Sequence, residues 1–189
     1  MRKGTQRTRG GRTGELVDSL GATDGESSRE GLLPLHSPEQ IVMQFVTRAN
    51  AKVDRIACPW LISRFVDPQA KFLFVPADRV MQVAAESGAI PYDVPDVELG
   101  HVDGRCSFES MLLRYRLTDP ALHELAKIVH AADVAEDVDS SPQGAGLKAI
   151  ASGFALIHGA DDATKMALEF PLYDALYAWC KWTVESATD

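Results

Sequence analysis

After about residue 106 the 189-residue chain carries no strand signal. Residues 107–116, 120–135, 145–157 and 162–184 all have helical patterning, opened by a hydroxyl at Ser107 and by Asp119-Pro120, a cap followed by proline in the first turn. Any sheet therefore has to come from the first half. There, residues 41–46 and 71–75 (KFLFV) are short β-rich runs. Between them the stretch 54–66 places Ile56, Trp60, Leu61 and Phe65 at helical spacing. Two helix starts are open: Asp54 as N-cap, with Pro59 removing one internal hydrogen bond, or Cys58 as cap with Pro59 at the first helical position. Asp67-Pro68 ends this helix, and residues 77–86 give another, stopped by Gly88. Residues 89–106 are irregular, with short strands expected around Tyr92 and 97–101. The pattern predicts a helix-rich α+β fold: a small sheet with a βαβ-like opening over about 41–105, packed by a helical layer over about 107–185. No internal repeat is visible.

Composition narrows the class further. Hydrophobic residues make up 46% and charged residues 24%, the balance of a globular protein. Three cysteines are too few for a disulfide framework. No run is long and apolar enough for a membrane helix, and no secretory core is present, so a cytoplasmic location without membrane association is expected. The net charge is −8, unevenly spread. Arg2, Lys3, Arg7, Arg9 and Arg12 make the start basic, and the acids of 13–40 cancel them, so the whole deficit lies in the body. An acidic body argues against a broad nucleic-acid surface. Residues 1–40, rich in Gly, Ser, Thr and charge, read as a disordered or loosely attached tail, with a single domain over 41–189.

Against this acidic background Arg48, Lys52, Arg55 and Arg64 form a basic cluster around the first strand-to-helix turn. Such a turn offers free backbone N–H groups and the positive helix end, and arginine adds paired donors, so it is a candidate oxyanion pocket. The competing reading pairs these cations with Asp67, Asp93 or Asp133. Cys58 lies in the same turn, where a helix start and neighbouring cations would depress its thiol pKa; a buried structural cysteine is the alternative. The run GHVDGRCSFE (100–109) concentrates His101, Asp103, Cys106 and Glu109, all metal-ligating types. His130 and Asp133, at i and i+3 on a later helix, could complete such a site. The selected ligand set is His101, Cys106, Glu109 and Asp133, for one divalent transition metal ion; turn chemistry with Glu109 stabilising a helix start is the alternative. Tyr173, Tyr177 and Cys180 fall on one stripe of the last helix and read as core.

Taken in order, VTRANAKVDRIACPWLISRFVDP, KFLFVPADRV, HVDGRCSFE, IVHAADVAED and YDALYAWC resemble the chromate-resistance family, specifically the C-terminal domain of ChrB-type chromate-responsive regulators. The resemblance runs from about Phe45 to Cys180. It implies a stress-response role in chromate resistance, through sensing or through regulating a chromate efflux pump, with chromate or a similar oxyanion as ligand. Longer members carry an added N-terminal domain associated with DNA-level regulation. Only the tail precedes the body here, so direct DNA binding by this chain is not expected. Chromate is a tetrahedral dianion, which suits Arg48, Lys52, Arg55, Cys58 and Arg64 as an anion site, and Cys58 and Cys106 are thiols that Cr(VI) could oxidise. The alternative to a sensing module is a metal- or thiol-dependent enzyme, such as a reductase, acting on a small anion.

Overall fold

The structure is a computed structural model that describes residues 42–187. The expected tail over 1–40 lies outside the described residues. Strand β1 (Gln44–Arg48), helix α1 (Val53–Phe65) and strand β2 (Lys71–Val75) make a βαβ unit, with β1 and β2 parallel in the register Gln44↔Lys71 to Arg48↔Val75. A 3-10 turn (Ala77–Arg79) leads into α2 (Val80–Ser87), which ends at Gly88. The two-residue β3 (Ile90–Pro91) then pairs with the other side of β1, also parallel, giving the order β2-β1-β3. The helical half follows: α3 (Ser107–Arg114), α4 (Pro120–Asp133), α5 (Pro142–His158) and α6 (Asp162–Ser186). This is the helix-rich α+β fold expected from the sequence.

The first strand runs two residues further than expected, through Thr47 and Arg48. Pairing with β2, Thr47↔Phe74 and Arg48↔Val75, carries the strand past its apolar run, and Thr47 is completely buried. The 97–101 segment contributes only an isolated bridge, Tyr92↔Leu99. Its chain instead turns at Asp103-Gly104, where Val102 and Arg105 exchange both backbone hydrogen bonds. The φ values there are +52° and +76°, the two left-handed positions of a type I′ turn, for which Asp-Gly is a favoured pair.

Helix α1 begins at neither expected start. Val53 is its first residue, which puts Asp54 inside the first turn and Pro59 in the interior. Pro59 has no N–H to give the carbonyl of Arg55. Tyr92, fully buried, donates its hydroxyl to that same carbonyl at 3.2 Å.

The main core lies between α1 and the helical half. Trp60, fully buried, has Phe65, Phe108, Tyr173 and Tyr177 around its ring and donates its indole N–H to Asp174 at 2.7 Å. Tyr173 and Cys180 are fully buried, as the aromatic stripe implied. The turn after β1 is clamped by the start of α6. Asp162 accepts the backbone N–H groups of Asn50 and Ala51, and the buried Lys165 ammonium pairs with Asp162 and donates to the carbonyls of Ala51 and Gly159. Among the described residues, no helix is long and apolar enough to cross a membrane.

Candidate functional site

The parallel sheet has all its C-terminal strand ends on one edge. The chain leaves β1 toward β2 on one side, while β3 flanks the other, so the gap beyond β1 and β3 is a topological switch point, the usual crevice for ligands in open α/β sheets. An open cavity of about 490 Å³ sits there, its wall including Arg48, Arg55, Asp93, His101 and Asp133. Arg48 is the last residue of β1 and Arg55 lies in the first turn of α1. Asp93 follows β3 with φ +49°, and Asp133 ends α4.

Four ligand-bearing side chains converge at this cavity. One ligand atom from each of Asp54, Asp93, His101 and Asp133 lies within 4.8 Å of all the others. His101 Nε2 stands 3.1 Å from Asp133 Oδ2, 3.4 Å from Asp93 Oδ1 and 3.6 Å from Asp54 Oδ2. Asp54 is 1% exposed; its Oδ2 accepts the Ser107 N–H at 2.6 Å, and its Oδ1 is buried with no hydrogen-bond partner. Such an orphaned carboxylate oxygen is costly unless something cationic meets it. Asp133 is placed against the helix dipole, an acid at a helix C-terminus, where negative charge is disfavoured.

Charge balance follows from these contacts. Burial and the neighbouring Asp133 push the Asp54 carboxyl up to about 7, and burial with Asp93 raises that of Asp133. Burial also works to raise Asp93, but His101 and the Arg48 and Arg55 guanidiniums, at 3.0 and 3.1 Å, outweigh it and hold the carboxyl low. Hydrogen bonding to Asp54 and Asp93 pushes His101 up to about 10, so its imidazolium is the cation of the metal-free cluster. Three carboxylates and one imidazole form a hard, oxygen-rich ligand set suited to manganese or iron.

A second cluster lies one turn back along α4. Ligand atoms of Cys106, Glu109 and His130 all fall within 4.8 Å of one another. The metal ligands expected from sequence are thus divided. His101 and Asp133 belong to the carboxylate cluster, Cys106 and Glu109 to the second. Their partners came from elsewhere: Asp54 read as a helix cap, Asp93 only as an ion-pair partner, and His130 as an optional completion. A signal was present in Asp54 and Asp93, acids amid apolar sequence at what become strand and helix ends, but only the fold shows that they face one cavity.

The expected anion cluster is divided as well. Arg48 and Arg55 line the cavity and pair with Asp93. Lys52 is exposed at the N-cap of α1. Arg64, three turns along the helix, makes a two-pronged pair with Asp174 at 2.8 and 2.9 Å, well away from this cavity. Cys58 is in the interior of α1 and fully buried, and burial followed by Asp54 pushes its thiol well up. The depressed thiol that a helix start would give is therefore not what the fold produces. All three cysteines are free.

Fold and site together define a helix-rich α+β domain with a carboxylate–histidine cluster and two arginines at its switch point. Residues 45–180 match the family described as "ChrB, C-terminal domain", and the chain belongs to that chromate-resistance family. It is 37% identical over 106 residues to Protein ChrB of Cupriavidus metallidurans, a match covering 55% of this chain and 32% of that protein. The chain therefore aligns with about a third of the length of that relative. No solved structure matches it.

Proposed function

We propose that this domain is the ligand-sensing part of a chromate-resistance response, and that its switch-point cavity binds a divalent metal ion together with an oxyanion. The observation that carries this reading is the convergence of Asp54, Asp93, His101 and Asp133 beside Arg48 and Arg55 in one open cavity. Without metal, three carboxyl groups, of which Asp54, pushed up to about 7, is only partly ionised, face two guanidiniums and one imidazolium. A divalent ion that displaces the imidazolium proton and the carboxyl proton leaves three carboxylates, two guanidiniums and the ion, with one positive charge in excess. The cavity then favours an anion, with guanidinium N–H donors on its wall for tetrahedral oxygens. Metal binding comes first and oxyanion binding depends on it, so a chromate-like ion is read only by the loaded domain. Family membership supports chromate as that ion; sensing, as binding without turnover, is our reading of a cavity whose neighbouring thiols are buried.

The test is calorimetric titration of the protein with manganese, then of the loaded protein with sulfate and chromate. His101→Ala and Asp133→Asn should abolish manganese binding at this cavity and, with it, oxyanion binding. Arg48→Gln should keep the metal and weaken the oxyanion about tenfold or more, since one charge-assisted hydrogen bond is worth roughly 1.5–3 kcal/mol. Oxyanion affinity that survives both chelation and Arg48→Gln would refute the reading, as would steady conversion of chromate.

A further inference from the structure

Cys106 occupies the N-cap of α3, a position that serine, threonine, aspartate and asparagine fill far better than cysteine. Its sulfur accepts the Glu109 N–H, and Glu109 Oε2 accepts the Cys106 N–H at 2.8 Å, a reciprocal capping box. A hydroxyl would make the same box with a stronger acceptor, so the box alone does not account for a thiol. What the thiol adds is a soft ligand atom. It lies within 4.8 Å of a Glu109 oxygen and a His130 ring nitrogen.

The histidine is arranged as a ligand. Its Nδ1 faces Glu109 Oε2 at 2.7 Å, while its Nε2 is held by Asp137 Oδ2 at 2.9 Å. A carboxylate on the far ring nitrogen is the arrangement that fixes tautomer and ring orientation in metal-ligating histidines. Both the cap bond and the His130 contact fall on Glu109 Oε2, and Oε1 carries neither. Burial and the nearby Asp54 push the Cys106 thiol well up, so an incoming ion has to displace its proton; the N–H to sulfur bond and the positive end of α3 then favour the thiolate. Cys106 is closed off, but the Glu109 and His130 side chains are 28% and 17% exposed, so the cluster opens to solvent on their side.

We propose that Cys106, Glu109 and His130 form a second metal site, distinct from the carboxylate cluster and selective for a borderline ion such as Zn²⁺. Sulfur, oxygen and nitrogen donors suit zinc, whereas the three carboxylates and imidazole of the other cluster suit a harder ion. The two sites share no ligand but are mechanically joined. Ser107, next to Cys106, donates its N–H to Asp54, and His130 and Asp133 stand one turn apart on α4.

Cobalt(II), added to the reduced protein, is the probe, because only a thiolate ligand gives an intense near-ultraviolet sulfur-to-cobalt charge-transfer band. The wild type should show that band at saturation. Cys106→Ser should lose it and bind zinc at least tenfold more weakly while staying folded, since serine is the better cap. His130→Gln should weaken cobalt binding at the thiolate similarly. His101→Ala should keep the band while losing the other site, so failure of either site is read separately. No band in the wild type, or a band that survives Cys106→Ser, would overturn the site. A band lost in His101→Ala would also overturn it, by making Cys106 part of a single mixed site.

Discussion

Glu169 is 1% exposed on α6, and neither of its carboxylate oxygens has a hydrogen-bond partner. Burial pushes its carboxyl up to about 7, against the opposing field of Lys165. The folded chain therefore keeps a proton that the unfolded chain releases near pH 4.5. Stability from this group is fully present below that unfolded value, falls as pH rises toward 7, and is level above. Glu169→Gln removes the titration. We expect the variant to be close to wild type at pH 5 and more stable by about 1–3 kcal/mol at pH 8, because each tenfold change in proton affinity is worth roughly 1.4 kcal/mol. Chemical denaturation at the two pH values checks it, and parallel pH profiles would disprove it. Glu169 shows why residue-scale chemistry was only partly legible. Helical periodicity marks a face but does not tell whether an acid on that face meets water or core. The ligand sets behave in the same way. His101, Cys106, Glu109 and Asp133 were visible as ligand types, yet their division between two clusters depends on the Asp103-Gly104 turn and on which side chains α1 and α4 bring to each.

At the scale of elements, the periodic helices α3, α4 and α6 were the most legible, because each announces its start: Ser107 after a cap residue, Asp119 accepting the Ala121 N–H, and Asp161 accepting the Thr164 N–H. Helix α5 has no side-chain cap hydrogen bond and starts at Pro142, three residues before the expected 145. Helix α1 was the least legible, because its interior proline is compensated from a distant segment. Tyr92 lies 37 positions away from Arg55, and its hydroxyl takes the place of the N–H that Pro59 lacks. That bond also steadies the turn bearing Asp54 and Arg55. Tyr92→Phe should cost about 1–2 kcal/mol by leaving the Arg55 carbonyl buried without a donor. In a Pro59→Ala background the new alanine supplies its own N–H, so the same tyrosine substitution should cost less. A double-mutant cycle measures the coupling, which we expect at about 0.5–1.5 kcal/mol. Additive effects would mean that Tyr92 and Pro59 act independently.

For the whole molecule, the packed framework of the described residues begins where the sheet does. Met43 donates its N–H to Asp67 at 3.0 Å and accepts the Lys71 N–H at 2.9 Å, and the next residue enters the β1–β2 register. The main core then draws on residues from Phe45 to Cys180, the same span that matches the family. Both metal-ligand clusters and the arginine wall lie inside it. We propose that residues from about 41 onward form a self-sufficient domain and that residues 1–40 add nothing to its core. The opposite charges of 1–12 and 13–40 cancel, so the body carries the full −8, and deletion of 1–38, which leaves Glu39, changes the net charge by only one unit. Deletion of residues 1–38 should therefore shift the melting temperature by less than about 4 °C, the change that 1 kcal/mol produces in a domain of this size. Metal affinities should be unchanged, and limited proteolysis of the full chain should stop at a fragment beginning between about residues 38 and 45, just before the β1 pairing. A truncated chain that unfolds, or that loses metal binding while folded, would make the first forty residues part of the domain and move its boundary to the start of the chain.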